Sequence, residues 1–66
     1  MKKWFVAYFK DDPPSLHSKF ADQKIADFAN QHNLESGEII IYNALEKSDH
    51  LSEVSLLYYA EKEATQ

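Results

Sequence analysis

Hydrophobic residues fall into four separate segments of this chain, and the first of them predicts a strand. Residues 4–9 are aromatic or aliphatic at every position, which is typical of a short strand that is buried or partly buried. Lys10 follows, and then Asp11, Asp12, Pro13 and Pro14; proline restricts both its own backbone and that of the preceding residue. We therefore expect the strand to end before this stretch.

The second segment, residues 18–32, has the spacing of an amphipathic helix. Its apolar side chains recur at intervals of three and four residues, and Asp22, Gln23, Asp27, Asn30 and Gln31 fall on the opposite side. Asp12, Ser15 and Ser18 are competing residues for the N-cap. Asn33 is suited to end the helix, and Ser36-Gly37 to form the turn that follows.

The third and fourth segments decide the fold class. Residues 38–45 contain the run Ile39-Ile40-Ile41-Tyr42, which strongly favours a strand. The tail that follows residues 52–61 is rich in good helix formers. Leu56 to Tyr59, however, is apolar at every position, so a helix here would be apolar on all sides. This favours a strand that pairs with the third segment. The prediction is one α+β domain over residues 1–66, ordered β-α-β-β, with one helix on one face of a three-stranded sheet. A helix over 52–61 would instead give βαβα, and residues 62–66 are predicted to be a frayed tail.

The predicted strands carry more apolar surface than one helix can cover. Side chains alternate between the two faces of a strand, so Trp4, Val6 and Tyr8 share one face and Phe5, Ala7 and Phe9 the other. None of the three strands alternates cleanly between apolar and polar residues. Because monomers rarely expose a contiguous apolar patch beyond roughly 300–600 Å², the uncovered face predicts association.

Length and composition support the same expectation. A 66-residue chain has a marginal core unless disulfides, a metal or oligomerisation supplement it, and it contains no cysteine. An aromatic content of 14% argues against disorder. The net charge is −4, every basic residue is lysine, and no basic run is longer than Lys2-Lys3, so nucleic-acid binding is not expected. The apolar run after Lys3 is too short for a signal peptide or a membrane span, and we expect a cytoplasmic protein without a membrane partner.

Residues capable of catalysis or metal binding occur without a recognisable motif. His17, His32 and His50 lie in three different segments, and their spacing matches no metal-ligand pattern. His32 lies in the last predicted turn of the helix, where its protonated form would interact favourably with the helix dipole. His17 and His50 are predicted to be solvated in loops. Asp11-Asp12 is expected to terminate and cap structure. The prediction is therefore a protein that is not an enzyme and has no cofactor and no metal.

Aromatic residues are the strongest candidates for a functional site. Core packing is their commonest use, but tyrosine and tryptophan also anchor protein interfaces and stack aromatic ligands. The residues predicted to form an interface or to stack a ligand are Trp4, Tyr8, Ile40, Tyr42, Tyr58 and Tyr59. If the sheet faces are reversed, Phe5, Phe9, Ile39 and Ile41 would take the place of the first four.

The order of elements resembles several families of very small βαββ proteins. It is similar to that of the dodecins, which form hollow shells and stack flavins between aromatic side chains. The segment Ser55 to Tyr59 resembles the C-terminal apolar strand of small sporulation-associated proteins of Gram-positive bacteria, and phage-encoded inhibitors have a similar size. The flavin-stacking tryptophan of dodecins lies on their second strand, where this chain has Ile39 to Ile41, so the resemblance implies oligomerisation but no ligand residues.

These observations lead to a non-enzymatic interaction module as the first hypothesis. It would associate with itself or dock on another protein through the aromatic face of its sheet. An oligomer that holds a small aromatic ligand, such as a flavin or nucleotide, between subunits is the second hypothesis. A small acidic inhibitor of a host enzyme is a further alternative.

Overall fold

The regular structure of the described chain is a three-stranded sheet with one α-helix, as the sequence predicts, and the sheet is antiparallel. The computed structural model describes residues 1–64. Its elements are β1 (Lys3–Lys10), α1 (Ala21–Gln31), β2 (Ile39–Glu46) and β3 (Leu51–Ala60). A short 3-10 helix, Ser36–Glu38, precedes β2. The order β-α-β-β is confirmed, and the ambiguous last segment is a strand.

The last strand lies in the middle of the sheet. The strand order is β1-β3-β2, and β3 is antiparallel to both neighbours. β1 and β2 therefore run in the same direction without touching, and α1 connects them. The predicted pairing between the third and fourth segments is present, with Ile40 opposite Leu57.

The core lies between α1 and one face of the sheet. Phe28 on the helix makes edge-on contacts with Phe9 of β1 and Tyr58 of β3, at 5.3 Å and 5.1 Å between ring centroids. Val54 and Leu56 of β3 are fully buried on the same face. β3 supplies the largest buried side chains because it is the central strand and lies directly beneath the helix.

The helix begins later than the N-cap candidates predict, at Ala21. Asp11 provides the reason, because its Oδ1 accepts a hydrogen bond of 2.8 Å from the Ala21 N–H. The Gln23 Oε1 accepts a second one from the Phe20 N–H at 2.8 Å. Two backbone N–H groups at the helix N-terminus are thus satisfied from the loop and from the first turn. At the other end His32 is the C-cap, and Asn33 follows in the left-handed region at φ 56°.

A bulge divides β2. Ile41 lies opposite Leu56, but Asn43 lies opposite Ser55, so Tyr42 is an additional residue in this strand. Ile41 consequently shares the helix side of the sheet with Leu56, and Asn43 shares the opposite side with Ser55. The simple alternation predicted for β2 therefore holds only up to the bulge.

Ala64 connects the segment after β3 to the core. Its N–H donates a hydrogen bond of 2.9 Å to Tyr58 Oη, and its side chain packs against the core cluster. Of the predicted frayed tail, residues 65–66 lie outside the described residues.

The molecule is thin and has a large surface for its mass. Its extents are 39 × 22 × 16 Å, and its radius of gyration is 12.1 Å, against roughly 11 Å for a compact domain of this length. The accessible surface is 4945 Å², whereas a folded monomer of 7.7 kDa exposes about 4,300 Å². The excess of roughly 600 Å² has the size of one uncovered sheet face.

Candidate interaction surface

The face of the sheet that points away from α1 carries most of the exposed apolar side chains. We call this surface the open face. Its apolar members are Trp4, Val6, Tyr8, Ile40, Leu45, Leu57 and Tyr59.

Strand alternation and register build the open face. On β1, Phe9 points to the helix, so its neighbour Tyr8 points away from it. Cross-strand pairing then places Trp4 opposite Tyr59 and Val6 opposite Leu57. Aromatic and branched side chains are thus adjacent across β1 and β3, which is the arrangement that stabilises an antiparallel pair.

The exposed side chains of β1 are large. Trp4 is 44% exposed, Val6 57% and Tyr8 50%. Leu57 and Tyr59 are better covered because they lie on the central strand, between β1 and β2. With Ile40 and Leu45, the open face leaves on the order of 500 Å² of apolar side chain accessible.

Polar groups are concentrated at one end of the open face. Tyr8 Oη donates a hydrogen bond to the Glu53 carboxylate, and this bond raises the pKa of the tyrosine. Lys10 lies opposite Glu53 in the register, and Ser55 lies between Tyr8 and Asn43. At the other end, Trp4 and Tyr59 form an apolar patch, and the Lys2–Glu38 ion pair lies beyond it, where β1 and β2 begin. The surface therefore has an apolar patch near one end and a hydrogen-bonded, charged group at the other.

The structure places the six sequence-predicted site residues in three environments. Trp4, Tyr8, Ile40 and Tyr59 lie on the open face, and Tyr42 lies exposed at the bulge. Tyr58 is fully buried on the opposite face, against Phe28, so it does not belong to the surface with which it was grouped. Val6 and Leu57 were not selected as site residues, although alternation already places Val6 between Trp4 and Tyr8.

Trp4 and Tyr59 are in direct contact. Their ring centroids are 5.0 Å apart and their planes are tilted by 43°. This separation leaves no slot for an aromatic ligand between the two rings, so such a ligand could lie only on their outer surface. The pair instead presents a rigid apolar patch at the end of the sheet.

A second cluster connects the loop before α1 to the β2–β3 loop. The His50 ring lies between two carboxylates, with Nε2 at 2.9 Å from Asp11 and Nδ1 at 2.6 Å from Asp49. Its ring is stacked on Phe20, with 3.7 Å between centroids and 12° between planes. The His50 side chain is only 10% exposed, so the prediction of a solvated loop histidine is wrong.

Hydrogen bonds and charges hold the two loops together through Asp11, Asp49 and His50, and we call this cluster the clamp. Hydrogen bonds that the His50 ring donates to the Asp49 and Asp11 carboxylates raise the pKa of His50, and the charges of these carboxylates act in the same direction. Burial acts to raise the pKa of Asp11, but the bonds from the Ala21 N–H and His50 outweigh it, and that pKa is lowered. Both shifts favour the charged form of the group, and both ring nitrogens of His50 are engaged. A general base needs a free ring nitrogen, which this arrangement does not provide.

His32 is packed at the end of α1. Its ring centroid is 4.9 Å from that of Phe28, and its Nε2 is buried without a hydrogen-bond partner among residues 1–64. Within the same described range, no group of three or more His, Asp or Glu side chains is arranged to hold a metal ion. In the part of the chain that the structure describes, no helix has the length and apolar character needed to cross a membrane.

Comparison of the chain with family models, with curated proteins and with solved structures finds no match. The resemblance to dodecins, sporulation-associated proteins and phage inhibitors therefore stays a prediction.

Proposed function

We propose that this protein is a non-enzymatic self-association module, in which a second copy of the chain covers the open face. The observation that carries the proposal is the row of half-exposed apolar side chains opposite the helix, with Trp4, Val6 and Tyr8 on β1. Covering it would bring the accessible surface of each chain close to that of a compact domain of its mass.

The size of the open face supports a second copy as the partner. A standard interface buries about 800 Å² per partner, of which roughly 60% is apolar. The open face offers on the order of 500 Å² of apolar side chain, which is that apolar share. A two-fold arrangement can overlap the apolar ends around Trp4 and Val6 and leave Glu53 of each copy at the solvated rim.

Val6→Lys tests the proposal with little effect on the isolated chain, because Val6 is more than half exposed and lies outside the core cluster. In the assembly it would remove two apolar contacts and bury two ammonium groups. The resulting dissociation constant should rise at least about 100-fold. The measurement is molar mass by light scattering at low micromolar concentration, with far-UV circular dichroism to verify the fold.

Asn30→Lys is the matched control, because it adds the same charge at an exposed position of α1. We expect the control to keep the mass of the wild-type protein and Val6→Lys to lose it. A folded Val6→Lys variant that assembles like the control would refute the open face as the contact. A wild-type protein that is monomeric at these concentrations would refute self-association itself.

A further inference from the structure

The free edge of β2 is a surface separate from the open face. β2 pairs with β3 on one side only, because it is the last strand in the order β1-β3-β2. Every residue of β2 after Ile39 is exposed. The backbone hydrogen-bonding groups on the outer side of β2 therefore have no neighbouring strand within the described chain.

The two edges of the sheet differ in the charges that flank them. Both edge strands are uncharged in their interior, from Trp4 to Phe9 in β1 and from Ile39 to Leu45 in β2. β1 begins with Lys3 and ends with Lys10, and lysine is the residue that most discourages another strand from adding to an edge. β2 has one charged residue, Glu46 at its end, and the bulge at Tyr42 is the one protective irregularity within its uncharged run. The β2 edge is therefore the edge without lysine.

β2 is also uncovered on the helix side of the sheet. α1 packs across β1 and β3, and it leaves Ile41 47% exposed although this residue points to the same side as the core. Ala44, opposite Val54, is exposed on that side as well. A second sheet that continues beyond β2 would place apolar neighbours beside both residues. A contact through the open face would leave Ile41 and Ala44 exposed, because both lie on the other side of the sheet.

Charges at the two ends of β2 favour an antiparallel neighbour. Lys2 and Glu38 form an ion pair of 2.6 Å just before the strand, and Glu46 and Lys47 follow at its end. In an antiparallel pair of β2 strands, the start of one strand meets the end of the other, so Lys47 of each copy comes near Glu38 of the other copy. A parallel pair would place Glu46 of one copy beside Glu46 of the other, and these like charges would repel each other.

From these observations we infer that a second copy of the chain pairs antiparallel with the free edge of β2. The product is a continuous six-stranded sheet in the order β1-β3-β2-β2-β3-β1, related by a two-fold axis, with the lysine-bearing β1 strands as its outer edges. This contact does not use the open face. Together with stacking through the open face, it predicts an assembly of four chains, in which two six-stranded sheets face each other.

Four proteins test this inference by light scattering: wild type, Ile41→Lys, Val6→Lys and the double variant. Ile41→Lys places a charge beside the β2 edge on the helix side, away from the open face. We expect four chains for wild type, two for each single variant and one for the double variant. Asn30→Lys serves as the charge-matched control and should give four.

The outcomes separate the edge from the open face. A folded Ile41→Lys variant with the wild-type mass overturns edge pairing, whatever Val6→Lys does. A wild-type dimer that Ile41→Lys converts to monomer supports the edge and refutes stacking through the open face. A monomeric wild type overturns both.

Amide hydrogen exchange provides a readout that needs no variant. In a sheet edge, every second amide of the strand points outward and exchanges freely, whereas pairing protects both sets. We expect consecutive amides from Ile40 to Leu45 to be protected in wild type. Alternating protection along this segment would overturn the inference. Because this measurement uses the wild-type protein, it remains decisive if Ile41→Lys fails to fold. Ala44→Lys, on the same side of the sheet, is the second variant for that case.

Discussion

Phe28 connects the helix to the sheet, and its replacement by alanine is the sharpest test of the fold described here. The side chain is buried and contacts Phe9 and Tyr58 edge-on, with His32 packed on its other side at 4.9 Å. Phe28→Ala removes all three aromatic contacts and leaves a cavity between two strands and the helix. The surrounding side chains belong to the sheet and can collapse into that space only in part.

The expected loss of stability is large relative to the total. Truncating a buried phenylalanine to alanine costs about 3–5 kcal/mol. At about 0.05–0.15 kcal/mol per residue, a domain of this length has a free energy of unfolding of roughly 3–10 kcal/mol. Phe28→Ala should therefore remove about half of the stability or more, and α1 should be the first element to detach because Phe28 is its one large buried side chain.

Urea denaturation followed by far-UV circular dichroism measures this loss. The titration is carried out at two protein concentrations, because the proposed self-association would add stability that depends on concentration. Leu16→Ala is the control, since Leu16 is 90% exposed in the loop before α1, and its replacement should change the stability by less than about 0.5 kcal/mol. A loss below about 1 kcal/mol for Phe28→Ala, with an unchanged denaturant dependence, would mean that α1 does not pack on β1 and β3 through this residue.

Further predictions concern the hydrogen bonds of buried and clamped side chains. Because the pKa of His50 is raised above its usual 6.5, its contribution to stability is complete below that pH and is lost as the pH rises through the folded pKa. The urea midpoint of wild type should fall over this range, and His50→Gln should remove that part of the pH dependence; an unchanged profile in the variant would contradict the clamp. Asp11→Asn should lower the pKa of His50, measured by NMR titration of its ring protons, and an unshifted titration would show that the two side chains do not interact. Tyr58→Phe removes the acceptor of the Ala64 N–H and should cost about 1 kcal/mol in urea denaturation, whereas a neutral result would show that the bond is exchanged for water without loss.

Local sequence patterns predicted the helix and the strands and, for β1 and β3, which side chains share a face of the sheet. The spacing of apolar residues located α1, and strict alternation on β1 separated Trp4 and Tyr8 from Phe5 and Phe9. The same rule applied to β3 separates Tyr58 from Tyr59, because a strand turns successive side chains to opposite faces. Grouping both tyrosines in one site ignored this rule, and the burial of Tyr58 corrects it.

Long-range contacts account for the features that the sequence did not predict. The helix begins at Ala21 because Asp11, ten residues earlier, accepts its N–H, and no local capping pattern indicates this bond. The clamp around His50 depends on a partner 39 residues away in sequence. The bulge at Tyr42 appears only when β2 is aligned with β3. Each of these features needs the tertiary structure, to which local propensity gives no access.

The position of β3 at the centre of the sheet has a consequence for the growing chain during translation. Every interstrand residue pair in the sheet includes a residue of β3. While the ribosome still holds residues 51–60 in its exit tunnel, β1 and β2 have already been synthesised but have no strand to pair with. The sheet can form only after β3 emerges, and until then the isoleucines of β2 and the aromatics of β1 are open to other nascent chains and to chaperones.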